Sequence, residues 1–185
     1  MRELIRSRLQ HSLAAAMLHP EISAPAGERH VLAGVSDFRA AAVLVPIIDY
    51  PDEMRVLLTR RPDHMNKHAG QVAFPGGRVD PSDAHPVAAA LREAEEEVGL
   101  LPQHVEIVGR LDDYHTGTGF QITPVVGLVT PGFTLKPCDE EVAEIFEVPL
   151  SFLMNPDNHQ RKQTEFNGRM AHYFAMPYKD YNIWG

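Results

Sequence analysis

Ile5, Leu9, Leu13 and Met17 recur every fourth residue, close to the 3.6-residue turn of an α-helix. The spacing predicts an amphipathic helix over residues 2–18, stopped near Pro20, with 23–27 as a linker. Residues 40–49 form a mostly apolar run, read as a buried strand; Pro46 within it predicts an edge position or a bulge. A short strand over 55–59 should pair with it as a hairpin. Residues 71–74 are a strand running into the turn Pro75-Gly76-Gly77, and 80–84 form a polar loop. Ser82 or Asp83 is the expected cap of a helix that reaches about Val98, with Gly99 as its stop. Strands are expected over 104–111, 120–130 and 141–148, and a helical turn over 151–154. Residues 163–166 and 170–176 flank Asn167-Gly168, a two-residue hairpin signal. Strands before and after a central helix predict a mixed α/β sandwich, without fixing strand order.

The central helix carries an electrostatic oddity. Glu93, Glu95, Glu96 and Glu97 crowd its C-terminal end, where the macrodipole already disfavours negative charge. At about 100° per residue, Val87, Ala90, Leu91, Ala94 and Val98 share one arc, the predicted buried face. Glu93, Glu96 and Glu97 share the adjacent arc, and Glu95 points elsewhere. Convergent carboxylates suit a hard divalent cation such as Mg²⁺. The alternative is a solvated acidic face. Arg92 offsets part of the charge, beside Glu96 or by reaching a neighbouring loop.

Composition narrows the partners. The 185 residues include 44% hydrophobic and 23% charged positions, and carry a net charge of −8, a poor match for nucleic acid. The single cysteine, Cys138, allows no disulfide framework and no cysteine-based zinc site. The N-terminal apolar runs are too short for a signal peptide, and no stretch approaches a membrane span. A soluble, cytoplasmic protein is expected.

Gly77, Arg92-Glu93, Glu96-Glu97 and Gly99-Leu100 resemble the Nudix box, G-x5-E-x7-R-E-U-x-E-E-x-G-U, where U is aliphatic. Ala94 stands at the first U. Asp83 replaces the upstream Glu, and one extra residue separates it from Arg92, as in the variant box of the coenzyme A pyrophosphatase branch. Leu57-Leu58-Thr59-Arg60-Arg61, followed by Gly70 and Phe74-Pro75-Gly76-Gly77, is similar to that branch's signature L-L-T-x-R-[SA]-x3-R-x3-G-x3-F-P-G-G. Pro62 stands where Ser or Ala is expected, and Asn66 where Arg is expected. Glu140-Glu141-Val142, Val148-Pro149-Leu150 and Ile183-Trp184-Gly185 look like further family stretches. In the family a helix usually follows the last tripeptide, and this sequence stops at Gly185, as a truncated or naturally short member would.

The resemblance implies a Nudix-type α/β/α sandwich, with residues 1–35 as an N-terminal helix and linker and 36–185 as the hydrolase domain. It implies hydrolysis of a nucleoside diphosphate derivative with Mg²⁺ or Mn²⁺. Coenzyme A or acyl-coenzyme A is the first substrate expected; ADP-ribose, a nucleotide sugar or a dNTP is the alternative, and a non-catalytic nucleotide-binding module a third. Glu93, Glu96 and Glu97 are the expected metal ligands, with Glu97, Glu96, Glu141 and Arg92 as the catalytic set. Glu141 is the candidate general base, set against a plain surface acid. Arg92 is expected to hold helix and loop in register. Arg60, Arg61, Lys67, Gly76 and Gly77 are candidate substrate contacts, and Asp83 is read as a helix cap. His64, His68 and His115 are read as structural or exposed, and Phe74 as core. Neither nucleic acid nor membrane is an expected partner, and the N-terminal helix is a candidate homodimer surface.

Overall fold

The computed structural model describes residues 1–17, 38–64, 68–166 and 169–185. The chain runs α1 (Arg2–Ala16), β1 (Arg39–Asp49), β2 (Met54–Arg60), β3 (Val72–Ala73), β4 (Gly76–Arg78), α2 (Pro86–Val98), β5 (Val105–Arg110), β6 (Tyr114–His115), β7 (Phe120–Val129), β8 (Glu144–Pro149), α3 (Leu150–Met154), β9 (Gln160–Phe166), β10 (Arg169–Tyr178) and β11 (Tyr181–Trp184).

The main sheet is mixed. Its order is β3-β2-β1-β7-β5, with β4 beside β1, β6 beside β7 and β8 beside β2. β1 and β7 are parallel from Arg39↔Phe120 to Ile48↔Val129. The expected β1–β2 hairpin is present, with Ile47 opposite Val56.

Pro46 lies in the central strand, not at an edge. Residues along a strand turn their N–H alternately to either side. The Leu44 N–H donates to the Pro75 carbonyl, so Pro46 faces the same side two residues later. There β1 has already left β4, whose pairing ends at Val43, and has not yet met β2, whose pairing begins at Ile47. The missing donor therefore faces a gap in the ladder, which is why proline is tolerated.

Each face of the sheet buries its own core. Helix α2 closes one: Val87, Ala90, Ala94 and Val98 pack on Ala42, Leu44, Leu57 and Val125. The other is covered by α1 through Ile5 and Leu9, by α3 through Leu150, Phe152 and Leu153, and by Met176, Tyr178 and Ile183. The last three belong to a separate three-stranded sheet, β11-β10-β9. Phe166 faces Arg169 across that hairpin; Asn167-Gly168 lies outside the described residues. Strand β8 starts at Glu144, three residues later than the sequence suggests. The Cys138 carbonyl accepts the N–H groups of both Glu141 and Val142, so the backbone there is spent on a turn.

Candidate active site

The site forms where β4 meets the C-terminal half of α2. Helix α2 begins at His85, whose Nδ1 accepts the Ala88 N–H at 3.1 Å. Neither Ser82 nor Asp83 is the cap. The signal was present in the sequence: Pro86 directly follows His85, and proline favours the first helical position.

Asp83 instead binds the loop and the helix together. Its Oδ2 accepts the Asp80 N–H at 2.8 Å, and its two oxygens accept from Nε and Nη2 of Arg92 at 3.1 and 2.9 Å. Arg92 also donates to the Arg78 carbonyl, to Glu93 at 2.9 Å and to Glu96 at 3.0 Å. The guanidinium holds the Asp83 carboxyl below the usual carboxylate range, and Asp83 in turn raises Arg92. Arg92 thus joins loop, β4 and helix, the register role expected of it.

The four glutamates separate by environment. Glu97 is buried and accepts the Gly76 N–H at 3.1 Å. Burial, with the like charges of Glu141 and Glu93, pushes its carboxyl up to about 7. Glu93 is largely buried, and its desolvation outweighs the pull of Arg92, so its carboxyl is also raised. Glu96 is 60% exposed and paired with Arg92; Glu95 is exposed. The predicted buried face of α2 is corrected at four positions: Pro86, Ala89 and Glu97 are also buried, and Leu91 is only half-buried. Among the described residues, no three His, Cys, Asp or Glu side chains lie close enough to share one ion.

The glycines have specific reasons. A Cβ at Gly77 would lie 2.5–2.6 Å from the Glu93 carboxylate, so this position has to be bare for Glu93 to lie over β4. Gly76, at φ +155°, would put a Cβ 2.4 Å from the Ala42 carbonyl oxygen, and its N–H orients Glu97.

Strand alternation divides the two arginines at the end of β2. Arg60 is engaged by Asp63 at 3.1 Å and by Glu144 at 3.5 Å. Arg61 lies on the other side, where its charge acts on Glu97, and its buried Nε has no hydrogen-bond partner. Lys67 lies outside the described residues, as does Asn66. Glu141 sits exposed on its turn, and its charge reaches both Glu93 and Glu97. Of the histidines, His64 is exposed, His68 meets Gln71 at 2.8 Å and His115 lies edge-on to Phe38. Phe74 packs into the second core.

A family model described as "NUDIX domain" matches residues 38–170. The chain belongs to the Nudix family. It is 44% identical over 147 residues to the "Uncharacterized Nudix hydrolase NudL" of Salmonella paratyphi B (strain ATCC BAA-1250 / SPB7), covering 80% of this chain and 76% of the relative. Among solved structures, the Nudix hydrolase RenU of M. smegmatis superposes with a TM-score of 0.52 at 25% identity, covering 60% of this chain and 70% of that one. A C. elegans Ap4A hydrolase binary complex gives 0.51 at 20% identity, covering 61% and 81%, a likeness of fold. This Nudix hydrolase is a pyrophosphohydrolase acting on a nucleoside diphosphate derivative. No described helix is long and apolar enough to cross a membrane.

Proposed function

We propose that this Nudix hydrolase cleaves coenzyme A or acyl-coenzyme A to 3′,5′-ADP and (acyl-)4′-phosphopantetheine, with Mg²⁺ or Mn²⁺. The observation that carries the reading is the run Leu57 to Gly77, similar to the coenzyme A pyrophosphatase signature. Support for it comes from the Gly76 N–H on Glu97, from Gly77 lying against Glu93, and from the Arg61 charge acting on Glu97.

The donor set fits a hard cation in kind. Buried Glu97 and largely buried Glu93 lie one helical turn apart, with Glu141 adding like charge to both; Arg92 balances Glu93 only in part, and oxygen donors of this kind favour an oxygen-seeking divalent ion. Glu93 and Glu97 would hold it, with Glu96 toward solvent. When bound, such an ion neutralises charge on the diphosphate oxygens. The remaining work falls to the protein. The Gly76 N–H fixes one Glu97 oxygen and Arg92 fixes one Glu93 oxygen; in this reading the Arg61 guanidinium, whose buried Nε has no protein partner, takes a phosphate oxygen. Glu141 takes a proton from the attacking water as its oxygen bonds to phosphorus and the bridging P–O bond breaks.

Pro62, buried where the signature expects Ser or Ala, supports a second reading: a Nudix hydrolase of ADP-ribose, a nucleotide sugar or a dNTP. The test is a screen of coenzyme A, acetyl-coenzyme A, ADP-ribose, UDP-glucose and dNTPs with Mg²⁺ or Mn²⁺, with products identified by mass. Formation of 3′,5′-ADP from coenzyme A at a rate above the others supports the first reading. Faster cleavage of another substrate replaces it.

A further inference from the structure

The last carbonyls of a helix have no partner inside it and must be satisfied from elsewhere. In α2, Gly99 and Leu100 turn back on Glu95 and Ala94, which leaves the carbonyls of Glu97 and Val98 outside that motif. Both are taken by one extended segment. Lys136 N–H donates to Val98 at 2.9 Å, and Cys138 N–H donates to Glu97 at 2.9 Å. Gly99 takes the left-handed conformation at φ +70°, and a Cβ there would lie 3.1 Å from the Lys136 nitrogen, so the segment packs closely on it.

The carbonyl of the same residue, in the next peptide group, faces the Glu141 turn. The Cys138 carbonyl accepts the Glu141 N–H at 3.0 Å and the Val142 N–H at 2.8 Å. Val142 is buried in the core under α2, and Ala143 N–H donates to the Arg60 carbonyl at 2.9 Å. The exposed Glu141 side chain therefore stands on a turn clamped at both ends, to the backbone of Glu97 on one side and to the end of β2 on the other.

We propose that the backbone of Cys138 is a positioning element that sets where the Glu141 carboxylate stands relative to Glu97, so that catalytic helix and general base move as one unit. The thiol plays no part. The inference rests on the reading of Glu141 as general base. The charge of Glu141 reaches both Glu93 and Glu97, and the clamp fixes the backbone from which that carboxylate projects.

The test is a double-mutant cycle on the full chain, measuring kcat and KM with coenzyme A or the diphosphate that the screen identifies. Cys138→Pro removes the N–H that reaches Glu97. It is expected to lower kcat at least tenfold with KM within twofold. In a Glu141→Gln background the same substitution is expected to change kcat less than twofold, because both act through one group. An equal fall of kcat in both backgrounds overturns the positioning role. An unchanged kcat for Glu141→Gln alone overturns the general-base reading, and the inference with it. A glycine inserted after Cys138 keeps both helix-capping bonds and lengthens only the turn, so it serves where Cys138→Pro does not fold. It too is expected to lower kcat at least tenfold, and an unchanged kcat overturns the proposal.

Discussion

Gly77 and Glu93 share a space that a single methyl group would fill: a Cβ on Gly77 would lie 2.5 Å from the Glu93 Cδ. The carboxylate can rotate away, so Gly77→Ala is expected to cost little stability and much activity. We expect kcat to fall at least tenfold with a shift in Tm of only a few degrees, about what 1 kcal/mol produces in a domain of this size. Kinetics alongside thermal melts separate the two; a large Tm loss with normal specific activity contradicts the assignment.

Glu97 gives a pH-dependent response to metal. Its carboxyl is raised from 4.5 to about 7 in the fold, so its contribution to stability is fully present below pH 4.5 and lost as pH rises through about 7. Without divalent ions, Tm should decline over that window. Added Mg²⁺ or Mn²⁺ should raise Tm more at pH 8 than at pH 5. Glu97→Gln should flatten the decline, remove most of the metal effect and lower kcat by orders of magnitude. Scanning calorimetry at the two pH values checks the sign.

Asp83 should make the loop sensitive to acid. Its carboxyl is lowered from 3.8 by Arg92, so its stabilisation is present above pH 4 and lost as pH falls through the lowered value. Asp83→Ala leaves the half-buried Arg92 guanidinium with Glu93, Glu96 and the Arg78 carbonyl as partners and should cost about 2 kcal/mol. Because Arg92 also orients Glu93, kcat should fall as well. Urea unfolding at pH 7 and pH 3 should show the wild type approaching the variant at the lower value.

Gly109 seats the N-terminal helix. It has φ +154°, and a Cβ there would lie 2.5 Å from the Leu9 carbonyl oxygen of α1. Backbone cannot yield as a side chain does, so Gly109→Ala should displace α1 from β5. Limited proteolysis should then cut within residues 2–16 faster than in wild type, with kcat largely kept.

Much of the site was legible because it is local. Three of the positions that matter lie on one helix, and helical period alone grouped Glu93 with Glu97 and turned Glu95 outward. The same geometry also grouped Glu96, which stands exposed beside Arg92. Period gives direction around an axis and cannot say where the packed face ends. Arg60 and Arg61 look equivalent in the sequence, yet strand alternation sends one to Asp63 and Glu144 and the other toward Glu97. Pro46 misled for the opposite reason: proline forbids one hydrogen bond, and the sheet leaves that bond unneeded.

The amphipathic helix, its stop at Gly99, the Gly76-Gly77 turn and the family signature were readable from the residues alone, since each is written in neighbouring positions and in the short-range rules of backbone and period. What had to come from tertiary packing is that Glu97 is buried within reach of the Glu141 charge, that the Cys138 backbone bonds to both of their backbones, and that Asp83 binds Arg92 rather than capping the helix. Those outcomes depend on residues 9 to 44 positions apart meeting across the core, where burial and charge act through space and not along the chain.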